Sequence, residues 1–123
     1  MGAVFTCTSN PCIGTTQNDG ITGTSGNDLI SALAGDDDVF WNAGNDKLIG
    51  GPGGDRLEVG PGNDLLIGGP ASTSPPVPNQ LVGGPGFDTL VGGPNADLFC
   101  DVPGANLFVG FTPSQGDIIL SSC

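Results

Sequence analysis

The sequence predicts an all-β fold, a solenoid of two parallel sheets wound from about eleven nine-residue units. Three observations carry this. An apolar residue recurs at the eighth position of each unit: Ile21, Ile30, Val39, Leu48, Leu57, Leu66, Leu81, Leu90, Phe99, Phe108 and Ile119. An acid or its amide recurs at the sixth: Asp19, Asp28, Asp37, Asp46, Asp55, Asp64, Asn79, Asp88, Asp97 and Asn106, with Asp117 in a last, slightly longer unit. Glycine gathers at the first, second and fourth positions, and proline takes the third at Pro52, Pro61, Pro70, Pro85, Pro94 and Pro103.

Each part of the unit follows from its residues. The stretch "GGPGGDRLEVGPGNDLLIGG", Gly50 to Gly69, repeats the pattern twice. Glycine and proline at these spacings would break a helix. A tight turn of six residues and a strand of three fit instead. Side chains alternate along a strand, so the eighth points inward and the seventh and ninth outward. Two units close a coil of about 18 residues, and successive units alternate between two back-to-back sheets. Coils about 4.8 Å apart give a rod about 25 Å long. Odd units start at Gly14, Ala32, Gly50, Gly68, Gly92 and Gly110, even units at Gly23, Trp41, Val59, Gly83 and Asp101.

The period is interrupted at residues 71–79, "ASTSPPVPN", a Pro/Ser-rich loop. The register resumes after it, so the solenoid is expected to continue beneath. The insertion is expected to distort the turn that pairs with Asp55 and Asp97. Residues 1–13 read as an N-terminal cap segment, 14–120 as the solenoid and 121–123 as a C-terminal tail. The four cysteines, Cys7, Cys12, Cys100 and Cys123, cluster towards the two ends. An even count of this kind suggests staples formed in an oxidising compartment. Three pairings are possible; Cys7–Cys12 with Cys100–Cys123 is favoured. Zinc is the competing reading, but the chain has no His and no Cys-x-x-Cys pair.

Composition narrows the function classes. Thirteen acids against two basic residues give a formal charge of −11. That excludes a nucleic-acid binder driven by phosphate attraction and opposes docking on anionic membranes. It favours a cation partner, because an uncompensated charge of this size opposes compaction. No apolar run is long enough to span a membrane, so no membrane insertion is expected. Met1-Gly2-Ala3 lacks the features of a signal peptide, and the chain reads as a mature segment. One core residue per unit makes a thin core, which cannot by itself offset the entropy of ordering 23 glycines.

An Asp in every turn, stacked coil on coil, forms two columns of close carboxylates. These repel unless a cation lies between them. Tight glycine turns also present main-chain carbonyls, and carboxylate with carbonyl oxygen suits Ca²⁺ better than Mg²⁺. The units "GGPGGDRLE", "VGPGNDLLI" and "GGPGFDTLV" resemble the RTX (hemolysin-type) nonapeptide G-G-x-G-x-D-x-U-x. The resemblance spans residues 14–120. It implies a right-handed parallel β-roll with calcium between successive turns on each side.

It also implies ligand sets. One turn offers the carbonyls of its second and fourth positions with its Asp. The turn about 18 residues later offers those of its first and third positions with its own Asp. On the even side this gives Thr24, Gly26, Asp28, Trp41, Ala43 and Asp46; then Asn42, Gly44, Asp46, Val59, Pro61 and Asp64; then Gly60, Gly62, Asp64, Gly83, Pro85 and Asp88. On the odd side it gives Leu33, Gly35, Asp37, Gly50, Pro52 and Asp55, with Asp97 further along the column. Carbonyl ligands tolerate any side chain, so Trp41, Leu33 and Val59 are not expected to disqualify their sites. Weaker sites are expected at Asp19, whose turn lacks glycines, at neutral Asn79 and Asn106, and at Asp117. About four to six ions are expected. Five would bring the formal charge from −11 to about −1.

The outward positions are mostly apolar on the even sheet, notably Leu29, Ile49, Leu65, Ile67, Val91, Leu107 and Val109. The odd sheet begins polar, with Asp38, Arg56, Glu58 and Gln80, and becomes apolar late, at Val82, Leu98, Ile118 and Leu120. An exposed apolar β surface commonly marks an interface, so the even face is expected to pack against another copy. No catalytic constellation is present: there is no His, and Ser114 has no base partner, so no enzyme is expected. The reading is a secreted calcium-binding structural protein of the extracellular space or cell surface, a self-associating or filament subunit whose folding calcium drives. The alternatives are a calcium-triggered folding module of a larger exported protein and an adhesive or ice-binding roll.

Overall fold

The structure is a computed structural model and describes residues 2–8, 10–70, 77–100, 107–109 and 116–120. Short strands alternate between two sheets. The first sheet runs β1 (Val4–Thr6), β3 (Gly20–Thr22), β5 (Asp38–Phe40), β7 (Arg56–Glu58), β9 (Gln80–Val82), β11 (Leu98–Cys100) and β13 (Ile118–Leu120). The second runs β2 (Cys12–Ile13), β4 (Leu29–Ser31), β6 (Lys47–Ile49), β8 (Leu65–Ile67), β10 (Thr89–Val91) and β12 (Leu107–Val109). All pairings are parallel and join like positions of the repeat, for example Val39 with Leu57 and Leu48 with Leu66. This is a two-sheet parallel β-solenoid, consistent with a β-roll. Among the described residues no helix is long and apolar enough to cross a membrane.

The inserted loop does not disturb the register. β7 pairs with β9 across it, placing Arg56 opposite Gln80 and Leu57 opposite Leu81. The Asp55 N–H reaches Asn79 Oδ1 at 2.8 Å, and the Asn79 N–H reaches Asp97 Oδ1 at 3.1 Å. The links from Asp55 through Asn79 to Asp97 are therefore kept, while residues 71–76 of the turn expected to be distorted lie outside the described residues.

Residues 1–13, expected as a cap, carry strands of the same two sheets. β1 pairs with β3 and β2 with β4, so Phe5 lies in register with Ile21 and Cys12 with Ile30. Cys12 thus occupies an inward, eighth-type position. It is joined to the equally buried Cys7 by a disulfide. Cys100 is also disulfide-bonded. Its expected partner Cys123 lies outside the described residues, as does Asn106.

The core is wider than one residue per unit. The eighth positions from Ile21 to Phe99 are buried as expected. The first positions contribute as well: Ala32, Trp41 and Val59 are buried, and Trp41 is fully so. The chain bends inward directly after the outward ninth residue, which brings the first side chain under the sheet. Gly23, one turn below Trp41, makes room for the indole, since a Cβ there would collide with it.

Outside the strands the turns are also hydrogen-bonded coil to coil. The Gly44, Gly53 and Gly62 N–H groups donate to the carbonyls of Pro61, Pro70 and Pro85. Gly62 shows why the fourth position resists other residues. Its φ is +151°, and a Cβ would run into the Gly44 carbonyl oxygen of the turn below.

The inward and outward positions differ in consequence. Leu48→Ala removes a fully buried side chain and is expected to cost about 2–5 kcal/mol in equilibrium denaturation. Leu65→Ala, on the outside of β8, is expected to cost under about 1 kcal/mol.

Candidate metal centre

The sixth-position side chains line up in two columns, one along each edge of the solenoid. Every described member but Asp28 is buried. Each links two turns through one oxygen. The Asp37 N–H donates to Asp55 Oδ1 at 2.9 Å, that of Asp46 to Asp64 Oδ1 at 2.7 Å and that of Asp64 to Asp88 Oδ1 at 2.9 Å. The first column runs from Asp19 to Asp117 through the same link, and Asp28 to Asp46 begins the second.

The second oxygen behaves differently. Oδ2 of Asp37, Asp46, Asp55, Asp64 and Asp97 is buried with no hydrogen-bond donor, and Oδ2 of Asp88 is buried too. A carboxylate oxygen taken out of water without a donor or counter-charge is strongly unfavourable. The protein's own cations do not supply one. Arg56 is engaged on the outside of the first sheet, 3.9 Å from Asp38 and 3.1 Å from Glu58. Lys47 is exposed on the second sheet.

The electrostatics follow. Burial, opposed in part by the N–H bonds and reinforced by neighbouring carboxylates, pushes Asp37 up to about 6 and Asp55 up to about 7. Burial does the same for Asp46, to about 6, and for Asp64, to about 7, with the carboxylates next in the column adding to it. Burial also raises Asp88 and Asp97. Asp19 goes the other way: burial is outweighed by hydrogen bonds from Ala3 and Thr15, which hold it below the usual range.

Glycines of the first position border these buried oxygens, and beside Asp55 a carbonyl does too. A Cβ on Gly50 would overlap Asp55 Oδ2 and come within 2.9 Å of the Gly68 carbonyl oxygen. A Cβ on Gly83 would meet Asp88 Oδ2 at 2.7 Å. Among the described residues no three His, Cys, Asp or Glu side chains converge. Any ion here is therefore held by two carboxylates and main-chain oxygens, a donor set that fits Ca²⁺.

Three of the four expected ligand sets fall on neighbouring turns that include a donor-free Asp Oδ2. Asn42, Gly44, Asp46, Val59, Pro61 and Asp64 lie on adjacent turns, as do Gly60, Gly62, Asp64, Gly83, Pro85 and Asp88, and Leu33, Gly35, Asp37, Gly50, Pro52 and Asp55. The third-position carbonyls of Pro52, Pro61 and Pro85 already accept one glycine N–H each. A carbonyl retains a second lone pair for an ion. Leu33 is strained: at φ +76° it takes a left-handed conformation that Gly51, Gly69 and Gly93 adopt freely at the same position.

The fourth set, Thr24, Gly26, Asp28, Trp41, Ala43 and Asp46, differs in a way sequence reasoning missed. Asp28 Oδ2 accepts the Thr24 hydroxyl at 2.6 Å, the Trp41 indole N–H at 2.8 Å and the Thr24 N–H at 3.3 Å. Trp41 therefore enters through its side chain as well as its carbonyl. A second unforeseen device is the fifth position. Asn27 Oδ1 accepts the Asn45 N–H, and Asn45 Oδ1 accepts the Asn63 N–H. The recurrence of Asn at that position was the available signal.

Comparison with known proteins agrees with this geometry. The family model for the RTX calcium-binding nonapeptide repeat matches in four copies over residues 13–48, 49–71 and 78–100. No curated protein and no solved structure matches the chain. With two thirds of its length in register with that model and its aspartates stacked in two columns, the chain belongs to the RTX calcium-binding nonapeptide repeat family.

Proposed function

We propose that the chain is a calcium-folded structural module of the extracellular space or cell surface that associates with copies of itself. The observation that carries the calcium part is the buried, donor-free Oδ2 of Asp37, Asp46, Asp55, Asp64 and Asp97. When bound, calcium supplies the positive charge these oxygens lack. The chain's own groups do the rest. The N–H of each lower Asp fixes the upper carboxylate, and glycine turns hold carbonyls on the same space. Without an ion the ionised columns repel and the turns are destabilised. In low calcium such a chain unfolds, and in high calcium binding energy becomes folding energy. Export into a calcium-rich, oxidising space accords with the repeat family and with the cysteine bridges.

Self-association is supported by the outer side of the second sheet. Leu29, Leu107 and Val109 are exposed, and Ile49, Leu65, Ile67 and Val91 are partly so. These form one apolar strip with little charge besides Lys47. A second reading, a calcium-triggered module of a larger exported protein, is favoured by one feature. Ile119 holds an inward position in β13 yet is 38 % exposed, which leaves the end of the core open to a neighbour.

Circular dichroism during calcium titration tests the first part. β signal is expected to appear with calcium and vanish with chelator; a reduced chain that stays folded in EDTA contradicts it. The pH dependence has a definite sign. These carboxyls bind protons more tightly folded than unfolded, so without calcium ionisation destabilises the fold as pH rises from about 4 through 7. Calcium displaces the same protons, so its apparent affinity is expected to fall about tenfold or more from pH 8 to pH 5.

Sedimentation in calcium tests the assembly. The chain is expected to form dimers or longer species that Leu65→Lys with Ile67→Lys abolishes. A monomer at high concentration favours the second reading.

A further inference from the structure

We propose that Trp41 and Asn79 use side-chain N–H groups to fill two places in the aspartate columns that equivalent turns leave open for calcium. This rests on the calcium reading above and assigns which turns take no ion.

Asn79 gives the clearest comparison. Its Oδ1 accepts the Asp55 N–H, as a carboxylate oxygen does elsewhere in the column. Its Nδ2 stands where the others carry Oδ2, and donates to the Gly69 carbonyl at 2.9 Å and to the Gly92 carbonyl at 3.3 Å. One turn earlier the same position is Asp55 Oδ2, and a Cβ on Gly50 would meet both it and the Gly68 carbonyl oxygen, just as one on Gly68 would meet Asn79 Nδ2 and the Gly92 carbonyl oxygen. There a buried, donor-free carboxylate oxygen and a carbonyl oxygen border one space, which a cation would bridge. At Asn79 an amide of the same shape bridges them with its own N–H groups. A calcium ion would be repelled by those hydrogens and would have to break both bonds.

Trp41 reaches the same end from the neighbouring turn. Its fully buried indole lies over Gly23, and its N–H joins the Thr24 hydroxyl and N–H on Asp28 Oδ2. Three donors saturate an oxygen that remains bare in Asp46 and Asp64. The site between Asp28 and Asp46 is closed, whereas those between Asp46 and Asp64 and between Asp37 and Asp55 are open. The consequence is a roll whose calcium sites are separated by joints that hold without metal.

The test counts calcium per chain by native mass spectrometry on the full-length wild type, Asn79→Asp and Trp41→Phe. Each variant is expected to bind one more ion than the wild type. In wild-type protein loaded with calcium, the single indole N–H resonance is expected to stay protected from solvent exchange. Equal ion counts in all three, or rapid exchange of that N–H, overturn the inference and leave the calcium reading standing. A wild type that binds no calcium overturns the calcium reading instead. The joints are then judged in chelator, where Asn79→Ala, lacking both amide donors, must melt lower by about 5 °C or more. Equal melting, or a chain with no fold to melt, overturns the inference.

Discussion

The structure depends on one electrostatic constraint: a column of turns in which most carry a carboxylate with one oxygen bonded to the backbone and, from Asp37 onward, the other buried in the protein. The bonded oxygen sets the distance and register between turns. The other is the buried charge that the chain's own donors leave unmet in Asp37, Asp46, Asp55, Asp64 and Asp97. Asp55 and Asp64 lie nine residues apart yet belong to different columns, because successive strands alternate between sheets. Each answers to the turns directly above and below it.

Much else follows from that arrangement. Turns must approach closely enough for carbonyls and carboxylates to share one space, so positions such as Gly62 admit no Cβ. The apolar core can remain narrow because it need not hold the turns alone. The two basic residues lie on the outside of the sheets and leave the buried acids without a counter-charge from the chain itself. Where the chain departs from the repeat, it substitutes hydrogen-bond donors. Thr15 supports Asp19 at the first turn of the column, and Trp41 and Thr24 support Asp28.

Periodicity made the architecture legible. The alternation of sheets, the inward eighth residue and the 18-residue pairing all follow from a period of nine with strand alternation. Three features were not legible, for physical reasons. The strands of residues 1–13 lack the Gly/Asp turn signature; Cys12 takes the inward place of the apolar residue there, and a disulfide to Cys7 fastens it. The inward turn of Trp41 depends on space above Gly23, one coil away, which a single repeat does not reveal. The insertion leaves β7 and β9 in register because its flanking residues Pro70 and Val77 both sit against the Gly53–Gly54 turn. Its Pro/Ser composition could mark it as a loop but could not fix that geometry.

The most direct measurement is a crystal structure of the chain grown in calcium, with anomalous scattering used to locate the ions. The account predicts ions at Oδ2 of Asp37, Asp46, Asp55 and Asp64, at the 2.3–2.6 Å typical of calcium–oxygen bonds. Water or a shared proton at those oxygens, in a roll otherwise folded as described, would contradict it.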